Sequence, residues 1–323
     1  MIYRFLRWIA GIALYWFYRE IRVVGDEQIP ARGPLLIAVN HQNALVDSLI
    51  TGWVVPRRIT MTAKATLTDN PLIAALFRIL GVVPLRRASD ESRKLNGFPA
   101  DRSRNTDAFR DILMVLEKRG AVLIFPEGKS HNEMGLEPLR TGLARLALQA
   151  RDEQLIKGVR ILPIGLVFED KGAPGSVIGA RVGDAIEMDS WPDSNAAALT
   201  EEIARRLRNV SEEAGLPLSI AADTSRETVP KRALIAVAAS WGRLMHRVPV
   251  RFARSLALKH SHDADEPAML TIMFGIGLVL LTYVFQIAVV GVLAHSFWIS
   301  SLYLASLVSG AYWAAFEKHP QRY

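Results

Sequence analysis

Cysteine is absent from this chain of 323 residues. That excludes a disulfide framework, a cysteine-ligated zinc site and a thiolate nucleophile, and leaves the redox compartment open. Internal repeats and low-complexity tracts are also missing, which removes solenoid architectures and biased linkers. Two familiar loop signatures fail at single positions. Gly128-Lys129-Ser130 looks like the tail of a phosphate-binding P-loop, but the glycine required five positions earlier is Leu123. A G-x-S-x-G nucleophile elbow through Gly128 and Ser130 needs glycine where Asn132 stands. With neither a cysteine nor an elbow, a covalent acyl-enzyme has little support.

Acidic residues are outnumbered, 32 against 39 lysines and arginines, giving a net charge of +7. That balance favours anionic partners such as lipid headgroups, phosphorylated substrates or nucleic acid. Half of the residues are hydrophobic and mean hydropathy is positive, so a membrane-embedded part is expected. Charge is missing altogether from Ala268 to Ala294, a run of 27 residues, and again from Ser296 to Phe316. About 20 apolar residues cross a bilayer as a helix. The short break at His295 predicts a transmembrane helical hairpin. Arg251, Arg254 and Lys259 precede it and Lys318 and Arg322 follow it, which places both flanks in the cytoplasm by the positive-inside rule. The N-terminus differs. Its apolar core, Trp8 to Tyr18, is too short to span and is flanked by Arg4, Arg7, Arg19 and Arg22. Trp8, Tyr15, Trp16 and Tyr18 favour the membrane interface, so an interfacial helix is expected there. No convincing signal-peptide cleavage site follows Phe17.

Between these ends the pattern is mixed. Residues 33–40, 121–128 and 159–168 read as buried strands, and residues 107–120, 139–153 and 196–215 as helices, the first with a glycine stop at Gly120. Their alternation predicts an α/β fold with a mostly parallel sheet flanked by helices. Residues 229–260 are basic and amphipathic and lead along the membrane surface into the hairpin. The expected organisation is an interfacial helix at 1–24, a catalytic domain at 25–215, basic linker helices at 216–262 and the hairpin at 263–323.

The first strand stops at Asn40-His41, and Asp47 follows six residues after the histidine. Histidine suits proton transfer near neutral pH. A carboxylate that accepts a hydrogen bond from one ring nitrogen fixes the tautomer and leaves the other nitrogen as a base. Six residues turn an uninterrupted helix by about 240°, so the two side chains meet only if His41 lies on a turn and Asp47 on the following helix. Asn40 or Asn43 is available to cap that helix; Asn43 reads as a turn-shaping residue. The stretch 125–133 is a second polar turn after an apolar strand, and ligands of parallel sheets bind beyond the carboxyl ends of strands. The bland alternative is a turn histidine with a helix-capping acid.

These residues resemble the glycerolipid acyltransferase superfamily, whose members acylate glycerol 3-phosphate or 1-acylglycerol 3-phosphate. His41 to Asp47 is similar to its His-x-x-x-x-Asp block, with one extra residue between the pair. Lys64, Leu67, Pro71, Gly81, Pro84 and Arg87 resemble the second block, and Phe125, Pro126, Glu127 and Gly128 the third. Pro163, in residues 162–168, resembles the fourth, and Gly142 also fits. Four blocks in order across roughly residues 25–190 are a specific signal.

The resemblance implies that His41 is the general base and Asp47 its orienting partner. It implies that Arg87, with Arg86 as the adjacent candidate, binds the acceptor phosphate, and that Glu127 and Gly128 hold the acceptor. Glu127 would accept hydrogen bonds from glycerol hydroxyls or, in the simpler reading, cap the next helix. Lys64 either pairs with phosphate or lines the cleft, and Ser130 belongs to the same acceptor-binding turn. No metal or cofactor is implied. The co-substrate is acyl-CoA or acyl carrier protein, and the acceptor is lysophosphatidate, with glycerol 3-phosphate close behind. The remaining expected partners are anionic membrane lipids, with no nucleic acid. The expected location is the inner or plasma membrane, with the catalytic domain on the cytoplasmic face. A non-catalytic, acidic-lipid-binding adaptor is the rival of another class. His131 reads as a loop histidine, and His260, His262 and Asp263 as headgroup-facing residues.

Overall fold

The computed structural model of the protein describes residues 2–85, 106–131, 135–211, 229–261 and 266–316. Eight strands among them form one sheet: β1 (Glu20–Val24), β2 (Leu35–Val39), β3 (Ile59–Lys64), β4 (Val83–Leu85), β5 (Ala121–Ile124), β6 (Arg160–Phe168), β7 (Val177–Val182) and β8 (Ile186–Glu187). Their order is β1-β7-β6-β2-β5-β3-β4, with β8 on β6. Pairing is parallel except where β7 and β8 run antiparallel to β6. The three strands foreseen from sequence, β2, β5 and β6, sit side by side at the centre. All five residues of β2 are buried, as a continuous apolar run covered on both faces should be.

Helices cover both faces. On one lie α1 (Ile2–Phe17) and α2 (Ala44–Val54), whose Leu14, Tyr15, Val46 and Ile50 join Ile37, Val39 and Leu123 in one buried cluster. On the other, α4 (Thr106–Glu117), α5 (Gly142–Asp152) and α6 (Ala196–Ser211) bury Ile112, Leu146 and Ile203 against Leu36, Ala38 and Val122. A short α3 (Pro71–Leu80) links β3 to β4. The glycine stop expected at Gly120 is displaced by one residue. Arg119 takes the left-handed conformation (φ +58°), while the Gly120 N–H closes the helix on the Val115 carbonyl. A Cβ at Gly120 would stand 2.8 Å from that same carbonyl oxygen, which accounts for glycine there.

The C-terminal third is helical. α7 (Val229–His260), α8 (Glu266–Ala294) and α9 (Phe297–Phe316) pack on one another. Only His295 and Ser296 separate α8 from α9, so the two are antiparallel neighbours. Backbones come closest at Gly242 of α7 and Gly310 of α9, where a Cβ on Gly242 would lie 1.9 Å from the Gly310 carbonyl oxygen. Small residues permit such crossings. Tyr303 of α9 donates to Gln286 of α8 at 3.2 Å. Among the described residues α8 is the one helix whose length and composition suit a membrane crossing. α9 is 20 residues long and carries Ser300, Ser301, Ser306 and Ser309. The N-terminal helix is built into the fold: the Trp16 indole donates to the Ala311 carbonyl at 3.1 Å and Arg7 to the Trp53 carbonyl at 2.7 Å.

β6 and the end of α6 touch without an intervening side chain. A methyl group at Gly165 would lie 2.3 Å from the Val210 carbonyl oxygen. Gly165→Ala is therefore expected to destabilise the sheet by about 1–3 kcal/mol through overpacking. Thermal unfolding in detergent checks this: the midpoint should fall by several degrees, and an unchanged midpoint contradicts the close approach.

Candidate active site

The site lies where β2 and β5, parallel neighbours with Ala38 opposite Ile124, release the chain at their carboxyl ends. Beyond β2 the Asn40 side chain acts as one more rung of the sheet. Its Nδ2 donates to the Leu166 carbonyl at 2.9 Å and its Oδ1 accepts the Leu166 N–H at 2.7 Å. The amide is consumed by β6, so Asn40 does not cap α2. Asn43 does not cap it either: its Nδ2 donates to the Tyr18 hydroxyl at 2.9 Å and to the Lys171 carbonyl at 3.1 Å. The chain enters α2 through Ala44 in a left-handed conformation (φ +43°), a local strain of the kind found at functional turns.

This turn brings the histidine back over the helix start. His41 Nδ1 lies 3.0 Å from Asp47 Oδ2, and the same oxygen accepts the Asn43 N–H at 2.8 Å. Asp47 is fully buried in the first turn of α2, where the helix N-terminus stabilises a carboxylate. An ionised carboxylate accepts only, so the ring must carry its proton on Nδ1 and present Nε2 as a base. No described residue bonds Nε2. The imidazole stacks on Phe125 at 3.9 Å between centroids with a 12° interplanar angle, which fixes its plane.

Glu127 ties the second turn to the first. It is 2% exposed. Its Oε1 accepts the His41 backbone N–H at 2.6 Å, and its Oε2 accepts the Glu137 N–H at 2.9 Å together with a close hydrogen bond from His131 Nε2. His131 in turn donates its backbone N–H to the His41 carbonyl at 3.2 Å. His131 is thus a buried member of the site rather than an ordinary loop residue. The sequence carried one signal for it, an acid and an imidazole four apart around Gly128, which mirrors the acid–imidazole pair of the first turn. Gly128 has φ +79°, a conformation that favours glycine.

Lys171, which no motif singled out, braces both turns: its ammonium donates to the Gln42 carbonyl at 3.0 Å and the His131 carbonyl at 3.3 Å. Tyr18 completes the wall behind Asn43. Burial pushes its phenol well above the ordinary tyrosine range, so it remains a neutral hydroxyl donating to the Lys171 carbonyl at 3.0 Å.

His41, Asp47, Glu127 and Gly128 are thus brought together. Ser130 is half-buried on the Glu127 turn, and Lys129, next to it, pairs with Glu137 at 3.0 Å. Lys64 ends β3, which also releases the chain at this edge of the sheet. Arg86 and Arg87 lie outside the described residues. A groove of about 460 Å³ between α4 and α5 contains none of these residues.

Known acyltransferases are similar to this chain in sequence and in fold. Residues 20–167 match the acyltransferase family model. An uncharacterised acyltransferase of Schizosaccharomyces pombe is 23% identical over 244 residues, covering 52% of this chain and 36% of the relative. Glycerol-3-phosphate O-acyltransferase 1 of Saccharomyces cerevisiae is 24% identical over 65% of this chain and 39% of its own length. A 1-acyl-sn-glycerol-3-phosphate acyltransferase of Limnanthes douglasii is 22% identical over 44% and 46%. The chain therefore spans less than half the length of these curated relatives. Among solved structures, the 1-acyl-sn-glycerophosphate acyltransferase of Thermotoga maritima shares the fold, with a TM-score of 0.51 at 18% identity over 68% of this chain and 81% of that one.

Replacing Glu127 by alanine strips the acceptor from two buried donors and the half-buried Glu137 N–H, at a cost of about 1–3 kcal/mol for each buried donor left unpaired. Urea unfolding should show a clearly lowered midpoint, and hydrogen exchange at the His41 amide should accelerate. Wild-type values for both contradict the bridge.

Proposed function

We propose, from the match of residues 20–167 to the acyltransferase family model, that the chain moves a fatty acyl group from acyl-CoA or acyl carrier protein to a hydroxyl of a glycerol phosphate lipid precursor. The observation that carries the reading is the His41–Asp47 pair, with Nδ1 engaged at 3.0 Å and Nε2 left as a base at the carboxyl edge of a parallel sheet. Nε2 takes the proton of the acceptor hydroxyl as its oxygen forms a bond to the thioester carbonyl carbon. The tetrahedral adduct then collapses, the C–S bond breaks, and the imidazolium returns the proton to the departing thiolate. Product ester and free thiol leave with atoms and charge balanced.

Glu127 supports this step from beneath. Its oxygens are engaged by His41, His131 and Glu137, so it sets the position of the His41 backbone, and any grip on glycerol hydroxyls uses its remaining lone pairs. Arg87, with Arg86 beside it, is the proposed phosphate clamp, since a guanidinium fork matches phosphate oxygens. β4 delivers the chain to this edge at Leu85, two residues earlier. Lys64 and Ser130 line the acceptor side.

In this reading the apolar α8 and its neighbour α9 hold the domain at a membrane, with α1 contributing Phe5 and Trp8 at the interface, and the basic flanks support the cytoplasmic face. Lysophosphatidate is the leading acceptor, because a lipid acceptor and a lipid product share the bilayer with the anchor. Glycerol 3-phosphate is the second reading. It is favoured by the six-residue offset between His41 and Asp47 and by the similarity to the glycerol-3-phosphate O-acyltransferase of yeast.

His41→Ala is expected to lower acyl transfer by about 10²- to 10⁴-fold, the usual worth of a general base. Purified full-length protein, a labelled acyl donor and an acceptor panel containing glycerol 3-phosphate and several lysophospholipids check this. Arg87→Ala should raise the acceptor KM more than it lowers kcat. Failure of the wild-type protein with every acceptor contradicts the reading.

A further inference from the structure

α7 is the most basic element described. It carries Lys231, Arg232, Arg243, Arg247, Arg251, Arg254 and Lys259 and no acidic residue. Its inward seam is small and buried: Ala239, Gly242, Ala253 and Ala257, with His246 bonded to Tyr283 of α8 at 2.6 Å. The outward face carries two columns. Arg243, Arg247 and Arg251 recur every fourth residue, with Lys259 two turns further, and all are exposed. Beside them run Leu244, Val248 and Phe252, at 60%, 76% and 55% exposure. A basic column next to an apolar column is the pattern of a helix seated at a bilayer surface, with ring and methyl groups in the acyl boundary and guanidinium groups among phosphates.

The packing of α7 on α8 adds an orientation. Ala253 faces Gly275 and His246 faces Tyr283, so the two helices run antiparallel alongside each other. Were this bundle to stand along the bilayer normal, Arg243 and Arg247 would sit in hydrocarbon on the lipid-facing side, where each arginine is strongly disfavoured. Lying in the plane, the same bundle places the whole basic column in the headgroup layer and still submerges the exposed faces of α8 and α9.

We propose that the α7–α9 bundle lies along the membrane rather than across it, with the outward face of α7 docked in an anionic headgroup layer. The α8–α9 hairpin, expected from sequence to cross the bilayer, then stays within one leaflet along its length. Charge complementarity and continuity with the apolar α8 select an anionic bilayer as the occupant. The inference rests on the membrane-anchored reading above and not on the acyl-transfer chemistry.

The absence of cysteine permits a direct test on the full-length chain. Single variants Met273→Cys, Phe285→Cys and Leu293→Cys along α8, and Val248→Cys on α7, carry nitroxide labels in vesicles containing phosphatidylglycerol. Their depth is read from collisions with oxygen against a water-soluble nickel chelate. A helix along the normal separates labels at 273 and 293 by about 30 Å in depth. In-plane docking gives the three α8 labels similar depths within one leaflet, with Val248→Cys shallower at the acyl boundary. In addition, Arg243→Gln/Arg247→Gln/Arg251→Gln should abolish the preference of spin-labelled phosphatidylglycerol over phosphatidylcholine for the protein. Depths that change steadily along α8 overturn the proposal. So does a water-exposed Val248→Cys label, or dipolar broadening that shows a second labelled copy on that face. Loss of acyl transfer with these depths intact would remove the enzymatic reading and leave the docking in place.

Discussion

A buried carboxylate that must find donors organises this protein. Glu127 sits at the end of β5 with almost no access to water. A carboxylate in that position is tolerable only if nearly every lone pair is engaged. The donors it recruits come from three places: the backbone of the first turn at His41, the imidazole of His131, and the backbone at Glu137. Satisfying one charge therefore fixes the separation of two turns that are far apart in sequence, and with it the placement of the His41 ring over Phe125.

The second buried acid solves a different problem. Asp47 accepts from the imidazole and from the backbone N–H of Asn43, so it both closes the entry into α2 and sets the histidine tautomer. Around the pair, Asn40, Asn43 and Tyr18 reach backbone groups of β6 and the loop after it, while the Lys171 ammonium donates to the Gln42 and His131 carbonyls of the two turns. The result is a rigid floor beneath a base whose outward nitrogen is not taken up by any described side chain. A proton acceptor needs that combination, because orientation contributes only when thermal motion does not dissipate it.

Much of this was legible in the sequence, for identifiable reasons. β2, β5 and β6 are continuous apolar runs because both faces of a central strand are covered, and such runs stand out. The spacing of His41 and Asp47 required a turn followed by a helix, and that is the geometry present. The remaining strands β1, β3, β4, β7 and β8 were not foreseen: β4 and β8 have three and two residues, and β1 begins with a Glu20–Arg22 ion pair rather than an apolar run. Asn40 or Asn43 was available for capping and Asn43 read as shaping the turn, both local roles, whereas both side chains reach partners more than 100 residues away along the chain. His131 differs: its side chain pairs with Glu127 only four residues away, but its backbone bond to the His41 carbonyl spans the two turns. Long-range pairing leaves no periodic trace. The left-handed residue at the end of α4 likewise fell on Arg119 because Gly120 was needed for close approach to Val115.

The central claim is that Asp47 holds the His41 ring with its proton on Nδ1 and Nε2 bare. The most direct measurement is the ¹⁵N spectrum of the full chain with labelled histidine, in detergent at a pH where the ring is neutral, with His41 assigned by its loss in a His41→Gln variant. The expected spectrum shows a protonated Nδ1 and an unprotonated Nε2, and Asp47→Asn should disturb that pattern. A His41 signal with its proton on Nε2 contradicts the account at its base.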